Sequence, residues 1–300
     1  MTLSSADLCL LRDILKRVSR SFYRTIAVLP QAVRTQVALA YLLARAADSI
    51  ADSGRLDDAE RLQALNQFKN MVQPGRRNEV YIRELTRLGD TAEFPPDEKG
   101  LLVEIGHCFS LLEKIHPKDQ DYIGRVLSVL IGGMEFDIDR FPRGQNSTIH
   151  ALTDRQDLEF YTYSVAGCVG EFWTHLMCAH LPGFRRWESL VMSPLGIRFG
   201  KGLQMVNILR DLPQDLRKGR CYVPLTLLTP AGLSPQDLLV EKAWDPFKPV
   251  YRQLLREARD HLDQGWRYTL TIPTGEVRLR LACMWPILIG VQTLQRLSVS

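Results

Sequence analysis

Apolar residues recur along this chain at intervals of three and four, the period of a helix with one face turned inward. Leu8-Cys9-Leu10-Leu11, Ile14, Leu15 and Val18 form one such stripe, and a second runs from Val33 to Ile50. The same spacing predicts helices over 59–72, 99–115, 119–141, 158–180, 191–215, 249–270 and 276–297. Strand-like alternation bounded by tight glycine turns is absent, and no glycine-rich loop follows a strand pattern. Breakers fall between the helical runs at Pro30, Pro74-Gly75, Pro95-Pro96, Pro117, Pro142, Pro182-Gly183, Pro224, Pro230 and Pro246. No repeat, low-complexity tract or flexible linker divides the chain. Residues 39–50 and 161–178 are apolar on most sides, as central helices of a large bundle are. The expected architecture is therefore all-α: one domain over residues 1–300, a helical bundle around a central cavity.

Composition narrows the function classes. The 38 Lys and Arg against 34 Asp and Glu leave a net charge of +4 over 300 residues, too little for a nucleic-acid footprint without clustering. The six cysteines form no C-x-x-C pair and read as reduced core thiols, which fits a cytoplasmic location. The N-terminus has no basic region followed by an apolar run, so no signal peptide is expected. Residues 281–291 are apolar but span only about half of the roughly 20 residues a bilayer requires, and Pro286 interrupts them. No transmembrane helix is expected.

Two acidic pairs stand out against this apolar background. Asp48 and Asp52 sit four residues apart, and Asp211 and Asp215 repeat the spacing. In each pair the two carboxylates lie roughly 40° apart on one helical face. Like charges there destabilise a helix slightly, so doing this twice at the ends of apolar helices calls for a cation. Carboxylate oxygens suit Mg²⁺, which keeps several waters and is often completed by substrate phosphates. Arg45 precedes the first pair, while Arg210, Arg217, Lys218 and Arg220 surround the second. Acidic and basic groups around an apolar interior describe a site for a metal-bridged diphosphate with a greasy tail. The alternative is that each pair is a solvated helix end, with Arg210 merely pairing to Asp211 or Asp215. The acidic run Asp57-Asp58-Glu60 reads as an exposed polar segment.

At these residues the chain resembles the squalene/phytoene synthase family. Ser19-Arg20-Ser21-Phe22 is similar to its N-terminal signature and residues 41–52 to its first aspartate motif. Residues 161–167 resemble its central tyrosine motif, and residues 202–211, with Asp215 and Gly219-Arg220, its second aspartate motif. The resemblance implies that two farnesyl diphosphates bind in one helical cavity. Mg²⁺ would be held by Asp48, Asp52, Asp211 and Asp215, with Asn207 and Gln204 in support. Ionisation of one substrate gives an allylic cation; attack by the other's double bond and loss of a proton give a cyclopropylcarbinyl diphosphate. A second ionisation rearranges that ring to the head-to-head product.

The resemblance also implies roles for individual residues. Arg20, Arg45, Arg210 and Arg220 would bind diphosphate oxygens, Ser21 and Phe22 would close the mouth of the first site, and Tyr41 would contact substrate. Tyr161 would assist proton removal, either as the acceptor or beside a diphosphate that is the actual base, unless it is simply a core aromatic. Phe22, Leu43, Ala166, Val169, Met205 and Leu209 would wall the cavity. Gly167 and Gly170 make room either for substrate chains or for close helix packing. Squalene synthases of the family finish by hydride transfer from NADPH, whereas dehydrosqualene and phytoene synthases lose a proton. The first motifs look closer to squalene synthases, so reduction to squalene with NADPH is the leading expectation. A basic Lys-x-x-Arg segment linked to NADPH does not follow residue 294 in this sequence. The unreduced products, or a non-catalytic partner protein with this fold, are the alternatives. An apolar product must leave towards lipid, for which Trp285, Ile287, Leu288 and Ile289 could form an exit or peripheral membrane docking surface; the favoured alternative is that they belong to a C-terminal helix packed into the core.

Overall fold

A computed structural model describes residues 4–19, 22–90, 94–143, 148–185 and 187–299. They are almost entirely helical, as the periodicity predicts; a helix at Glu79–Gly89 is one the pattern missed. Among the described residues the only strands are His150–Ala151 and Arg220–Cys221, a two-residue parallel pair. All six cysteines are free. The chain divides into two compact units. One comprises Met1–Glu135, His175–Arg186 and Glu276–Ala282; the other comprises Phe136–Thr174, Trp187–Gly275 and Cys283–Ser300.

In the first unit the Gln31–Asp52 helix is central. It begins after Pro30 and buries Val33, Leu39, Leu42, Leu43, Ala46, Ala47 and Ile50. Ser53 leaves helical geometry and stops it. Buried Arg61 then donates from Nη1 to the Ala51 carbonyl at 2.8 Å, satisfying one of the orphan acceptors at the helix end. Asp57 caps the next helix, Asp58–Met71, in a reciprocal box with Glu60. That acidic run is therefore structural, as its polar context suggested.

In the second unit the 29-residue Ser189–Arg217 helix packs against Trp244–Thr271 over a core that includes Leu209, Leu212, Tyr251, Leu254 and Leu262. Pro246 does not separate elements, because it occupies the first turn of the Trp244–Thr271 helix, where a missing N–H costs nothing. Gly170 and Gly196 press two backbones together: a Cβ on Gly170 would lie 1.9 Å from the Gly196 carbonyl oxygen. A Cβ on Gly200 would lie 2.2 Å from the Ala166 carbonyl oxygen. Gly170, and Ala166 within the tyrosine motif, thus sit at close helix–helix packing, one of the two roles the sequence left open.

The Val277–Val299 helix runs through Pro286 and is longer than the apolar run seen in the sequence. By length and composition it could cross a membrane, with 33% of its apolar window buried. This corrects the expectation that no segment is long and apolar enough. Ile287 is buried, while Trp285, Leu288, Ile289 and Val291 are exposed.

Candidate active site

The first acidic pair sits in the last two turns of the Gln31–Asp52 helix. Arg45 is held between two carboxylates: its Nη1 donates to Asp48 Oδ2 at 3.2 Å, and its Nη2 donates to Glu98 Oε1. Ser49 donates to Glu98 Oε2 at 2.9 Å, so Glu98 ties the Pro96–Val103 helix to the aspartate helix at two points. The Asp48 carboxyl is pushed up to about 6, chiefly because the surrounding protein withholds water from it. Arg45 opposes that rise and Asp52 adds to it. Nearly half of the Asp48 side chain, 48%, still faces solvent, so an ion or a phosphate can reach it. Asp52 is exposed. Tyr41 donates to the Val18 carbonyl at 3.4 Å, and its ring lies 6.1 Å from that of exposed Phe22. Arg20 and Ser21 lie outside the described residues.

The second acidic pair lies near the end of the Ser189–Arg217 helix, with Pro213 between its members. Proline cannot donate to the carbonyl four residues back, that of Leu209. The Tyr251 hydroxyl donates there instead, at 3.1 Å, so the helix continues through the proline and keeps Asp211 and Asp215 one turn apart. Arg210 forks onto Asp211, with Nε to Oδ1 at 2.8 Å and Nη2 to Oδ2 at 2.6 Å. In this state Arg210 binds an aspartate, the alternative weighed from the sequence, although it is exposed and can swing away. The Asp215 carboxyl is raised by burial and then by the charge of Asp211. Asn207 donates to Gln204 at 3.4 Å on the same half-buried face.

Beyond that helix, Gly219 takes a positive φ of 79° and turns the chain into the strand that carries Arg220. Arg220 Nη1 donates to Asp137 Oδ2 at 3.0 Å, and the Tyr222 hydroxyl donates to Asp137 Oδ1 at 2.5 Å. Tyr161 is buried and stacks on Tyr222, with ring centroids 4.7 Å apart. Burial, then the Asp137 charge, raises the Tyr161 hydroxyl above the ordinary phenol range, and Tyr222 is raised likewise by burial first. Tyr161 is thus a neutral hydroxyl and no ready phenolate. The helix is locally widened to a π turn over Tyr163–Gly167, within the tyrosine motif.

Of the apolar wall expected from the sequence, Leu43, Met205 and Leu209 are buried core residues, while Phe22 and Val169 are exposed. Glu98, Asp137 and Tyr222 were missed. Asp137 carried a signal, an acid flanked by Phe136 and Ile138 in an apolar stretch; Glu98, inside Asp97-Glu98-Lys99, carried none.

Among the described residues no group of three or more His, Cys, Asp or Glu side chains could hold an ion. Each helix instead offers two carboxylates one turn apart, with Asn207 beside the second pair. That donor set fits Mg²⁺ completed by water and by phosphate oxygens from a ligand.

The squalene/phytoene synthase family model matches residues 15–299, a span that includes both acidic pairs and Tyr161. A bifunctional lycopene cyclase/phytoene synthase of Podospora anserina is 30% identical over 257 residues, 84% of this chain and 41% of that protein. Phytoene synthase 1 of Arabidopsis thaliana is 32% identical over 158 residues, 53% of this chain and 33% of that protein. The chain spans about two fifths of the length of the fungal relatives it matches. A squalene synthase, TcSQS, solved with the ligand BPH1237, is 21% identical with a TM-score of 0.79, covering 98% of this chain and 80% of that one. Squalene synthase HpnC of Alicyclobacillus acidocaldarius is 19% identical with a TM-score of 0.65, covering 97% and 92%. These two structures share the all-α fold, and the family match extends over nearly the whole sequence. The chain belongs to the squalene/phytoene synthase family.

Proposed function

We propose that this chain joins two prenyl diphosphates head to head and releases an unreduced hydrocarbon, as a phytoene or dehydrosqualene synthase does. The observation that carries the reading is the family match across both acidic pairs and the tyrosine motif. The relatives named phytoene synthases support the unreduced product over the squalene expected from the sequence. Reduction to squalene with NADPH is the second reading, favoured by the TM-score to TcSQS.

Asp48 and Asp52, and Asp211 and Asp215 with Asn207, would hold Mg²⁺. When bound, the ion supplies positive charge that binds and helps release the diphosphate. Arg45, Arg210 and Arg220 provide charge-assisted hydrogen bonds to the same oxygens. Arg210 reaches them by leaving Asp211, a move open to an exposed side chain. Arg45 is held in place by Glu98 and needs no such move. Tyr161 takes part in proton removal as a buried neutral hydroxyl.

Location is part of the same reading. The exposed stripe of Trp285, Leu288, Ile289 and Val291 supports peripheral contact with lipid, into which an apolar product leaves. Liposome co-sedimentation that a Trp285→Glu, Leu288→Glu double variant leaves unchanged contradicts that contact.

The test of the reaction is incubation with farnesyl or geranylgeranyl diphosphate and Mg²⁺, with and without NADPH, followed by solvent extraction. A hydrocarbon independent of NADPH is expected. Product only with NADPH moves the protein to the second reading, and no product from either substrate removes the enzymatic one.

A further inference from the structure

A second group of charges lies away from the acidic pairs. In the second unit, the helices Arg155–Thr162, Ser189–Arg217 and Trp244–Thr271 line a cavity of about 610 Å³. Its wall is apolar at Phe160 and Met205 and polar at Glu159 and His261. Arg155 and Glu257, also on the wall, pair with each other at 2.9 Å. Arg198 donates from Nε to His261 Nδ1 at 3.2 Å. A guanidinium only donates, so Nδ1 carries the lone pair and the neutral ring keeps its proton on Nε2. Lys201, nearly a turn further along the same helix, is only 5% exposed. It pairs with Glu159, whose own side chain is 66% exposed. Among the described residues nothing accepts from the Nη groups of Arg198 or from His261 Nε2. Burial, and then the charges of Lys201 and Arg198, push the His261 imidazole down to about 4. Two cations and a neutral N–H donor thus face one solvent-exposed carboxylate.

We infer that this cavity binds a phosphate-bearing molecule with an apolar body, separately from the acidic pairs and without a metal ion. The Nη groups of Arg198, the Nε2–H of His261 and the ammonium of Lys201 are the donors to the anion. Three donors suit a phosphate group, which has an oxygen for each, better than a carboxylate with two. Phe160 and Met205 cover the apolar part. The anion takes the place of Glu159 on Lys201, and the displaced carboxylate, already mostly in solvent, turns outward. Its replacement keeps the buried ammonium paired, which a charge withdrawn from water requires. Lys201 precedes Asp211 by ten residues, roughly 15 Å of helix, so this anion site and the acidic pair are separate. Neither the proposed reaction nor its metal enters the inference.

Isothermal titration calorimetry of the full chain with geranyl diphosphate in EDTA tests the site. Inorganic pyrophosphate and geraniol serve as the two halves of the ligand. Geranyl diphosphate is expected to bind without Mg²⁺, and pyrophosphate about tenfold more weakly for want of the apolar body. Arg198→Gln should weaken geranyl diphosphate by about tenfold, the loss of one charge-assisted hydrogen bond. Glu159→Gln should tighten it by about threefold, because the competing exposed ion pair is gone. A folding defect does not tighten binding, so Glu159→Gln decides the matter if Arg198→Gln fails to fold. Asp48→Asn and Asp211→Asn should both bind as wild type does under these conditions. No binding in EDTA overturns the inference, as does a folded Arg198→Gln within about twofold of wild type. Weaker binding by Glu159→Gln overturns it too, and pyrophosphate as tight as geranyl diphosphate overturns the assigned apolar body. A wild type that makes no hydrocarbon but binds in this pattern loses the proposed function and keeps the site.

Discussion

The two acidic pairs share their spacing and their place near a helix end, yet they are held differently. Beside Asp48, Arg45 is shared with Glu98 and cannot leave without breaking two ion pairs. Beside Asp211, Arg210 is exposed and makes its fork within one residue of sequence. The supporting helices differ too. The first is finished by Arg61 on the Ala51 carbonyl, and the second passes through Pro213 by borrowing the Tyr251 hydroxyl and packs backbone to backbone at Gly196. Identical sequence spacing therefore yields one pair whose arginine is pinned by a second carboxylate and one whose arginine is exposed and held by its neighbour alone.

The largest test of this contrast is also a test of what the pairs share. Asp48→Asn and Asp211→Asn are each expected to lower pyrophosphate release by about 10³-fold while helicity stays intact. A variant of either pair with near-wild-type release removes that pair from the metal assignment. Gly170→Ala strains the packing against the second pair's helix, because the new methyl group meets the Gly196 and Ile197 backbone and not a side chain that could yield. We expect a loss of about 3 kcal/mol in denaturant unfolding. Tyr251→Phe leaves the Leu209 carbonyl without its donor next to Pro213. It should cost about 1 to 2 kcal/mol and lower product formation more than pyrophosphate release from the first site.

The smallest effect separates the pairs by pH. The folded-state value of Asp48, about 6, lies above the ordinary 3.8, so the folded chain holds this proton more tightly than the unfolded chain. The stability it gives is complete below 3.8 and is lost as pH rises through about 6. Asp48→Asn cannot ionise, so without metal it should gain on wild type across that window. The gain is about 1 kcal/mol once solvent screening of a half-exposed group is allowed for. Added Mg²⁺ should reverse the order at the upper end, since only the ionised carboxylate rewards metal binding. Thermal melts at a series of pH values check both signs, and parallel curves for the two proteins contradict the assignment.

Much of this was legible in the residues. Period-3.6 patterning is a local signal, and long apolar helices such as Gln31–Asp52 and Ser189–Arg217 announce themselves. The aspartate pairs were visible because acids at helical spacing conflict with an apolar run. The Glu79–Gly89 helix was hidden among charged residues, and Pro246 looked like a break because a proline in a first turn and one between helices look alike in sequence. Glu98 and Asp137 depend on partners 53 and 83 residues away in Arg45 and Arg220. Periodicity carries no record of such pairings. The packing of Gly170 was hidden for the same reason, since it depends on Gly196 on another helix.

The most direct measurement of the central claim is the ultraviolet spectrum and mass of the hydrocarbon formed from a prenyl diphosphate and Mg²⁺ alone. Loss of a proton at the last step places a new double bond between two existing ones, so the account predicts a conjugated triene without NADPH. A hydrocarbon lacking that chromophore and requiring NADPH, or no hydrocarbon at all, would contradict it.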